Sequence, residues 1–277
     1  MKILITNDDG IRSEGLLLLA EWAKKLGDVT VIAPALQQSG SSHGINIQTA
    51  FACEPAYVIP GVRGFKLDAS PADCVRYATC GLGEHFDLLL AGVNCGLNTG
   101  HDIAYSATCA AIFEGAYWGI PSLAFSTVFE SFAGARQSLD RVWKFLQKRK
   151  LFDHNLIYNI NFPLKPQGIR ITRQKDAPYY LDHFEEVKKG FIIARGYSAY
   201  QGTSDLTVDL DAVMNGYISI SPLTVERTAE KAWKRLRRMR EYLPCVVKRE
   251  DPGLCKMRGD GLRRYGEVFL PAVLSSR

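Results

Sequence analysis

The sequence predicts an α/β fold with a mostly parallel sheet, and two observations predict it. A strand, a loop, a helix and a second strand follow one another within the first 33 residues, and the same order returns between residues 87 and 126. A helix between two strands carries the chain back across the sheet, so the strands pair in parallel. Beyond Asn155 short alternating stretches replace this order, and we expect antiparallel hairpins there.

The first unit begins with an apolar run at residues 2–6, which ends at Asn7-Asp8-Asp9-Gly10. Leucines and alanines at helical spacing predict a helix over residues 13–26, with Gly27 as its candidate C-cap. Residues 29–33 predict a second buried strand. Continuous apolar strands of this kind are buried on both faces, so we expect helices on both sides of the sheet.

Three further helices are predicted in the same half of the chain. Pro71 stands at the start of a helix over residues 71–80. Small residues predict a helix over 107–118, between apolar strands at 87–93 and 121–126, and an amphipathic pattern predicts one over 134–149.

The C-terminal part, beyond Asn155, lacks the alternation of strands and helices. Its alternating stretches are residues 156–160, 169–172, 191–194 and 217–220. Residues 224–242 predict a strongly basic helix with a sparse apolar stripe of Trp233, Leu236 and Met239. Such a stripe is too thin for a domain core, so we expect it to dock on a neighbour or on another subunit.

The composition excludes several classes of protein. With 47% hydrophobic residues, 23% charged residues and 24 Gly in 277 positions, the chain is neither disordered nor collagen-like. The net charge of +5 is uneven, because residues 223–277 hold 14 Lys and Arg against 7 Asp and Glu, whereas residues 1–222 hold 20 against 22. The basic character belongs to the tail, and nucleic-acid binding is not indicated for the rest.

The cysteines and the lack of a membrane-spanning apolar run indicate the cellular compartment of the protein. The seven cysteines contain no CxxC pair, which argues against a zinc site or a redox motif, and we expect reduced core thiols. No apolar run is long enough to cross a membrane, and no secretory pattern precedes the first strand. We therefore expect a cytoplasmic enzyme without membrane contact.

Polar residues cluster where the predicted strands end, and in an open α/β sheet ligands bind beyond those ends. They are Asp8 and Asp9 after the first strand, Ser39, Gly40 and Ser42 beyond the second, and Asn94, Asn98 and Ser106 after the strand at 87–93. Adjacent carboxylates repel, and hard oxygen donors suit Mg²⁺, Mn²⁺ or Ca²⁺. Taken alone, Asn-Asp-Asp-Gly is better explained as a turn with a helix N-cap. Two further polar loops at equivalent strand ends favour a metal site.

The run from Gly92 to Gly100 is rich in Gly and Asn and comes shortly before a predicted helix. Helix N-termini bind phosphate well. No Gly-x-Ser-x-Gly elbow surrounds Ser106, so we expect its hydroxyl to contact phosphate rather than act as a nucleophile. The run matches neither the dinucleotide fingerprint nor a Walker P-loop, which disfavours a nucleotide cofactor. Among the five histidines, His101 is the one candidate acid or base.

Seven short blocks run in a fixed order over residues 1–223. They are Asn7-Asp8-Asp9-Gly10, Pro34 with Gln38-Ser39-Gly40 and Ser42, Ser70-Pro71-Ala72-Asp73-Cys74-Val75, Gly92-Val93-Asn94 with Gly96 and Asn98, Tyr105-Ser106, Asn159-Ile160-Asn161-Phe162-Pro163, and Gly216-Tyr217 with Ser221-Pro222-Leu223. In this order the blocks resemble the SurE family, the stationary-phase survival proteins that act as metal-dependent 5'/3'-nucleotidases.

The resemblance implies a Rossmann-like catalytic region at residues 1–154. The C-terminal part, residues 155–277, would supply a hairpin, the basic helix and a swapped segment that build a homodimer or homotetramer, and a single domain over residues 1–223 is the alternative division. The resemblance also implies one divalent ion per subunit, Mg²⁺ or Mn²⁺, held by Asp8, Asp9, Ser39 and Asn94. The implied substrate is a nucleoside monophosphate, and some family members also degrade short polyphosphate.

Our hypothesis from the sequence is therefore a metal-dependent phosphomonoesterase of the 5'-nucleotidase type. Asp8, Asp9, Asn94 and Ser106 would be catalytic, and Asn98, Gly40 and Ser42 would join Ser106 in contacting the substrate. Three alternatives stay open: a non-catalytic nucleotide-binding assembly module, an exopolyphosphatase, and a different α/β enzyme that acts on a sugar nucleotide.

The chain departs from the family pattern at three places. Ala69-Ser70-Pro71 stands where Gly-Thr-Pro is usual, Ala91 stands where Ser is usual, and Ala107 follows Ser106 where Gly is usual. All four metal positions match the family. We expect Ala107 to narrow the backbone beside Ser106 and to alter the fit of the substrate.

Overall fold

The structure is a computed structural model, and it describes residues 1–129 and 131–238. The chain divides into two compact units, Met1–Arg227 and Thr228–Arg277. The first unit contains the sheet and every candidate site residue. In the second unit the described part holds one short helix.

The helices and strands of the described residues are as follows. The strands are β1 (Lys2–Thr6), β2 (Asp28–Pro34), β3 (Cys53–Pro55), β4 (Arg63–Leu67), β5 (Leu88–Cys95), β6 (Ser122–Thr127), β7 (Ile157–Phe162), β8 (Gly168–Ile171), β9 (Tyr180–Lys188), β10 (Phe191–Ser198) and β11 (Tyr217–Pro222). The α-helices are α1 (Glu14–Ala23), α2 (Pro71–Arg76), α3 (Ala107–Tyr117), α4 (Ala133–Lys148), α5 (Asp209–Met214) and α6 (Glu230–Leu236).

Nine strands form one sheet in the order β3-β4-β2-β1-β5-β6-β7-β11-β8. The six central strands, from β4 to β7, are parallel, while β3 and β11 run antiparallel to their neighbours β4 and β7. The chain leaves β1 on one side to form β2 and returns on its other side to form β5. This reversal places a crevice at the carboxyl ends of β1 and β5, which is where α/β sheets bind ligands.

Helices cover both faces of the sheet, as the continuous apolar strands predicted. Successive side chains of a strand point to opposite faces. Ile3 and Ile5 of β1 therefore lie in the core beneath α1 and α4, whereas Leu4 lies in the core beneath α2 and α3. The predicted α/β class with a mostly parallel sheet is confirmed.

The structure corrects two expectations about local structure. Helix α1 ends at Ala23 with Lys24 as its C-cap, so Gly27 is not the cap. Gly27 is needed for packing, because a Cβ atom there would lie 2.0 Å from the carbonyl oxygen of Met1. Residues 156–160, 169–172 and 217–220 do not form separate hairpins, because β7, β8 and β11 extend the main sheet. Strand β7 pairs in parallel with β6, β11 runs antiparallel to β7, and β8 pairs in parallel with β11.

The antiparallel hairpin of the C-terminal part is formed by β9 and β10, which pair as a two-stranded sheet of their own. Both of its strands are exposed over almost their whole length. The predicted basic helix begins later than expected, at Glu230, and residues 239–242 lie outside the described residues. Among the five cysteines that the structure describes, Cys74 and Cys109 are core thiols, whereas Cys53 and Cys80 are exposed and Cys95 is half-buried. Cys245 and Cys255 lie outside the described residues.

No helix in residues 1–129 and 131–238 combines the length and the apolar character needed to span a bilayer.

The division of the chain into regions 1–154 and 155–277 stays a prediction.

Candidate active site

Two close backbone contacts shape the crevice at the carboxyl ends of β1 and β5. Gly15, in the first turn of α1, lies so near β5 that a Cβ atom would approach the Val93 carbonyl oxygen to 1.9 Å. Gly92 has φ +118°, and a Cβ atom there would approach the Phe125 carbonyl oxygen to 2.2 Å. The Gly92-Val93 peptide bond is cis. Glycines at these two positions let α1 and β6 press directly against β5 where it enters the site.

Asp8 lies at the floor of the crevice with 3% of its surface exposed. Its Oδ1 accepts a hydrogen bond of 2.5 Å from the hydroxyl of Thr108 in α3. Burial raises the pKa of Asp8 to about 6, the Thr108 hydrogen bond opposes that shift, and the neighbouring charge of Asp9 adds to it. A carboxylate in this environment is costly to keep ionised unless a cation accompanies it.

Asp9 and Asn94 meet through the backbone of β5. The Cys95 N–H donates to Asp9 Oδ2 at 3.1 Å, which fixes the carboxylate beside Asn94. Burial raises the pKa of Asp9 as well, and the hydrogen bond from Cys95 opposes the shift. Asn94 donates its amide N–H to the Gly96 carbonyl at 2.8 Å, and its Oδ1 accepts no hydrogen bond within the described residues, so it can serve a ligand.

The loop with Ser39, Gly40 and Ser42 reaches the site from β2. The Gln38 N–H donates to the Asp8 carbonyl at 2.7 Å, which brings the neighbouring Ser39 to the end of β1. Ser39 and Gly40 are exposed, and Gly40 has φ +76°. At the far end of the loop, the Ser42 hydroxyl donates to the Ala104 carbonyl at 2.7 Å and its N–H donates to the Tyr105 carbonyl at 3.1 Å.

Ser106 is the N-cap of α3. Its Oγ accepts the Cys109 N–H at 3.0 Å, and 7% of the residue is exposed. The N–H groups of Ala107 and Thr108 are in the first helical turn and have no partner within the helix. The positive end of α3 therefore faces the same crevice as the two carboxylates.

Asn98 is held by side chains of β6 and β7. Its N–H donates to Asn161 Oδ1 at 2.9 Å, and its carbonyl accepts from Asn159 and Asn161 at 2.7 and 3.0 Å. Its side-chain amide donates to Ser126 Oγ at 2.7 Å. All of these groups are buried. The loop between β5 and α3 is thus held in place through both the backbone N–H and the backbone carbonyl of Asn98.

Replacing Asn161 by Ala leaves the N–H of Asn98 without a partner in the protein interior. We expect the free energy of unfolding to fall by about 2–4 kcal/mol, from lost hydrogen bonds and desolvated polar groups. Urea denaturation measures this loss. Asn155→Ala is the matched control, because Asn155 precedes the same strand and bonds the Ile157 and Leu223 carbonyls. Both variants lose stability, but Asn161→Ala alone lowers the phosphatase activity expected from the sequence; an equal effect on activity contradicts the positioning of the loop by β7.

The donor set fits a hard divalent cation. Mg²⁺ and Mn²⁺ prefer oxygen donors such as the two carboxylates with raised pKa values, Asn94 Oδ1 and the hydroxyl of the exposed Ser39. No cluster of three or more His, Cys, Asp or Glu side chains suitable for a metal occurs in the described part of the chain. An ion at this site would therefore depend on neutral oxygens from Ser and Asn as well as the two Asp.

The raised pKa of Asp8 predicts that the ionised carboxylate lowers the free energy of unfolding. In the unfolded chain this carboxyl titrates near 3.8 and in the fold at about 6, so the folded state binds the proton more tightly. The unfavourable contribution is fully present above pH 6 and disappears as the pH falls from 6 to 3.8. It amounts to about 3 kcal/mol. We expect Asp8→Asn to raise the unfolding temperature at pH 7.5 in EDTA and to have little effect at pH 4. An unchanged or lower unfolding temperature at pH 7.5 contradicts the burial cost.

The structure adds residues that the sequence analysis did not assign. Thr108, Asn159, Asn161 and Ser126 support the predicted site residues, and a sequence signal existed only for Asn159 and Asn161, which alternate on an otherwise apolar buried strand. His101 has a surface contact instead of a site contact, with Nε2 at 2.9 Å from Asp176 Oδ1.

Comparisons with known proteins show the family to which the chain belongs. The sequence model of the family described as "Survival protein SurE" matches residues 3–180. The chain is 33% identical over 243 residues to "5'-nucleotidase SurE" of Petrotoga mobilis, covering 82% of this chain and 94% of that protein. It is 35% identical over 257 residues to "5'-nucleotidase SurE" of Cereibacter sphaeroides, covering 83% and 95%.

A solved structure is also similar. The SurE protein from Aquifex aeolicus superposes with a TM-score of 0.69 at 30% identity, over 87% of this chain and 100% of that one. The similarity in sequence therefore extends to the three-dimensional fold. With a matching family model over more than half of its length and relatives that it covers almost completely, the chain belongs to the SurE family.

Proposed function

We propose that this chain is a 5'-nucleotidase that removes phosphate from nucleoside monophosphates. The observation that carries the proposal is the Thr108–Asp8 hydrogen bond of 2.5 Å, which joins one of the two adjacent carboxylates to the amino end of α3. One crevice thereby combines donors for a divalent cation with donors for a phosphate. The names of the relatives from Petrotoga mobilis and Cereibacter sphaeroides support the same activity.

Asp8, Asp9, Ser39 and Asn94 would hold one Mg²⁺ or Mn²⁺ ion per subunit. Such an ion supplies positive charge for the phosphoryl oxygens and for the attacking water. Asp9 is the less buried of the two carboxylates, and the hydrogen bond from Cys95 orients it and opposes the rise in its pKa that burial causes. Either Asp8 or Asp9 would accept the proton of the water.

The amino end of α3 would bind the phosphoryl group. Ser106 Oγ already accepts the Cys109 N–H, so its own hydrogen is free to donate to a phosphoryl oxygen. The N–H groups of Ala107 and Thr108 add two donors that point along the helix axis. Because these donors are fixed before the substrate arrives, they stabilise the charge that develops during phosphoryl transfer without reorganising. The fixed loop around Asn98, with Gly40 and Ser42 opposite, would close the phosphate site.

A screen for phosphate release tests the proposal and its alternatives. Purified full-length chain is incubated with nucleoside 5'- and 3'-monophosphates and with short polyphosphate, with Mg²⁺ or Mn²⁺ and with EDTA. We expect release from the monophosphates that EDTA abolishes. Release from polyphosphate alone would make the chain an exopolyphosphatase, and nucleotide binding without release would make it an assembly module.

We further propose that the chain acts as a homodimer or homotetramer in the cytoplasm, with residues 1–154 as the catalytic region and residues 155–277 as the assembly region. The β9–β10 hairpin supports assembly, since it exposes Phe184, Phe191 and Ile192 by 62–69%. Two-stranded hairpins are marginally stable in water on their own. The free thiols of the described cysteines suit a reducing compartment. Light scattering of the full-length chain measures its oligomeric state.

A further inference from the structure

A cavity of about 370 Å³ opens beside Ser106 and follows one side of α3. Its main lining residues are Ser42, His43, Ile103, Phe113, Gln174 and Arg227. Helix α3 rises about 10 Å between Ser106 and Phe113. The cavity therefore begins where the phosphate is expected and leads away from it, along the direction that the rest of a substrate has to take.

The lining combines aromatic faces with polar edges. The ring centroids of His43 and Phe113 are 6.3 Å apart. Gln174 donates one amide N–H to the Gly100 carbonyl at 2.7 Å, which fixes the side chain and leaves its oxygen for a ligand. Arg227 adds several N–H donors. Ligand pockets that bind organic molecules have this composition and a volume of about 300–1,000 Å³.

The side chain of His43 is fixed by a contact with Glu114. Its Nε2 lies 3.0 Å from Glu114 Oε2, and Glu114 is only 5% exposed. Burial alone raises the pKa of Glu114, but hydrogen bonds from His43 and Trp118 and the charge of Arg76 outweigh it, so the pKa is lowered. An ionised Glu114 accepts the hydrogen bond from His43 Nε2, and one face of the His43 ring stacks on Tyr117 with the ring centroids 6.0 Å apart. The opposite ring face and Nδ1 are left for a ligand in the cavity.

We infer that this cavity binds the nucleoside of the substrate, with His43 and Phe113 as specificity-determining residues that contact the base. The inference rests on the proposed nucleotidase function. If the phosphate of a nucleotide lies at Ser106, its ribose and base extend along α3. The planar base then contacts the side chains of His43 and Phe113. Gln174 and Arg227 are placed to bond the polar edges of the base or the ribose hydroxyls. A purely anionic chain would leave the apolar part of this lining without a partner.

The test compares a nucleoside 5'-monophosphate with ribose 5-phosphate, which has the same phosphoester but lacks the base. We expect Phe113→Leu and His43→Ala to lower kcat/KM for AMP about tenfold, mainly through KM, because stacking on a base contributes roughly that factor. Hydrolysis of ribose 5-phosphate should change less than about threefold, within the scatter of neutral substitutions. Phe113→Leu keeps the apolar volume of the side chain, so it addresses the aromatic face without opening a cavity.

His85→Ala is the matched control, since His85 is exposed and lies before β5 at the opposite end of the sheet. If both variants lose kcat/KM equally for AMP and for ribose 5-phosphate, they disturb the phosphate site, and the inference is overturned. An unchanged KM for AMP in both variants also overturns it. Failure of the proposed function gives a different pattern, in which the wild-type chain hydrolyses neither substrate.

Discussion

Replacing Asp9 by Asn lowers the rate of phosphate release from nucleoside monophosphates by about a thousandfold while the chain stays folded. The substitution removes one of two negative charges at the expected metal site, and preorganised charge is the largest contribution to phosphoryl transfer. Asn keeps an oxygen that accepts the Cys95 N–H, now 3.1 Å from Asp9 Oδ2, so the local structure is retained. Phosphate release with saturating Mn²⁺ measures the effect, and circular dichroism checks the fold.

Asp153→Asn is the matched control for Asp9→Asn. Asp153 is exposed and lies before β7, at the end of the sheet opposite the site. We expect it to leave the rate unchanged. Calorimetric titration with Mn²⁺ provides a second readout, in which Asp9→Asn should abolish the binding heat that wild type shows. Near wild-type turnover in Asp9→Asn would remove Asp9 from the metal site.

Replacing Gly15 by Ala destabilises the protein by about 3 kcal/mol or more, although Ala favours helices. Helix propensity alone would stabilise the variant by about 1 kcal/mol. The new Cβ atom, however, would lie 1.9 Å from the Val93 carbonyl and 2.9 Å from the ring of Phe132, so α1 has to move away from β5. The midpoint of urea denaturation measures the loss.

Glu21→Ala controls for the change in helix propensity. Glu21 lies on the exposed side of α1, and its replacement should change the free energy of unfolding by less than about 0.5 kcal/mol. A Gly15→Ala variant as stable as wild type would show that α1 can shift without cost and that the close contact with β5 is not required.

The sheet could be predicted from the sequence because apolar strands such as β1 and β5 are continuous. The candidate site residues also leave a local signal, since they stand directly after such strands, and the resemblance to the SurE family indicates which of them belong together. Their roles in binding a metal and a substrate stay predictions. The Gly27 cap was predicted wrongly because glycine after a helix indicates a cap in general, whereas here the packing on Met1 requires it.

Other features leave no local signal. Strand β9 is exposed on both faces, so its residues do not alternate between apolar and polar. The bond from Thr108 to Asp8 joins residues 100 positions apart. A threonine in an alanine-rich helix looks like any other small residue until the fold brings it to the carboxylate. The cavity along α3 likewise combines residues from the loop after β2, from α3 and from Gln174 and Arg227.

The central place of β1 has a consequence for synthesis on the ribosome. In the sheet Ile3 pairs with Leu88, so 85 residues separate the two strands along the chain. At the usual speed of translation, about 5–20 residues per second, β1 waits about 4–17 seconds for this partner to be made. During that time one edge of an apolar strand lacks hydrogen-bond partners, and such edges bind other chains. We therefore expect the nascent chain to be most prone to association with other chains in the interval before β5 is made.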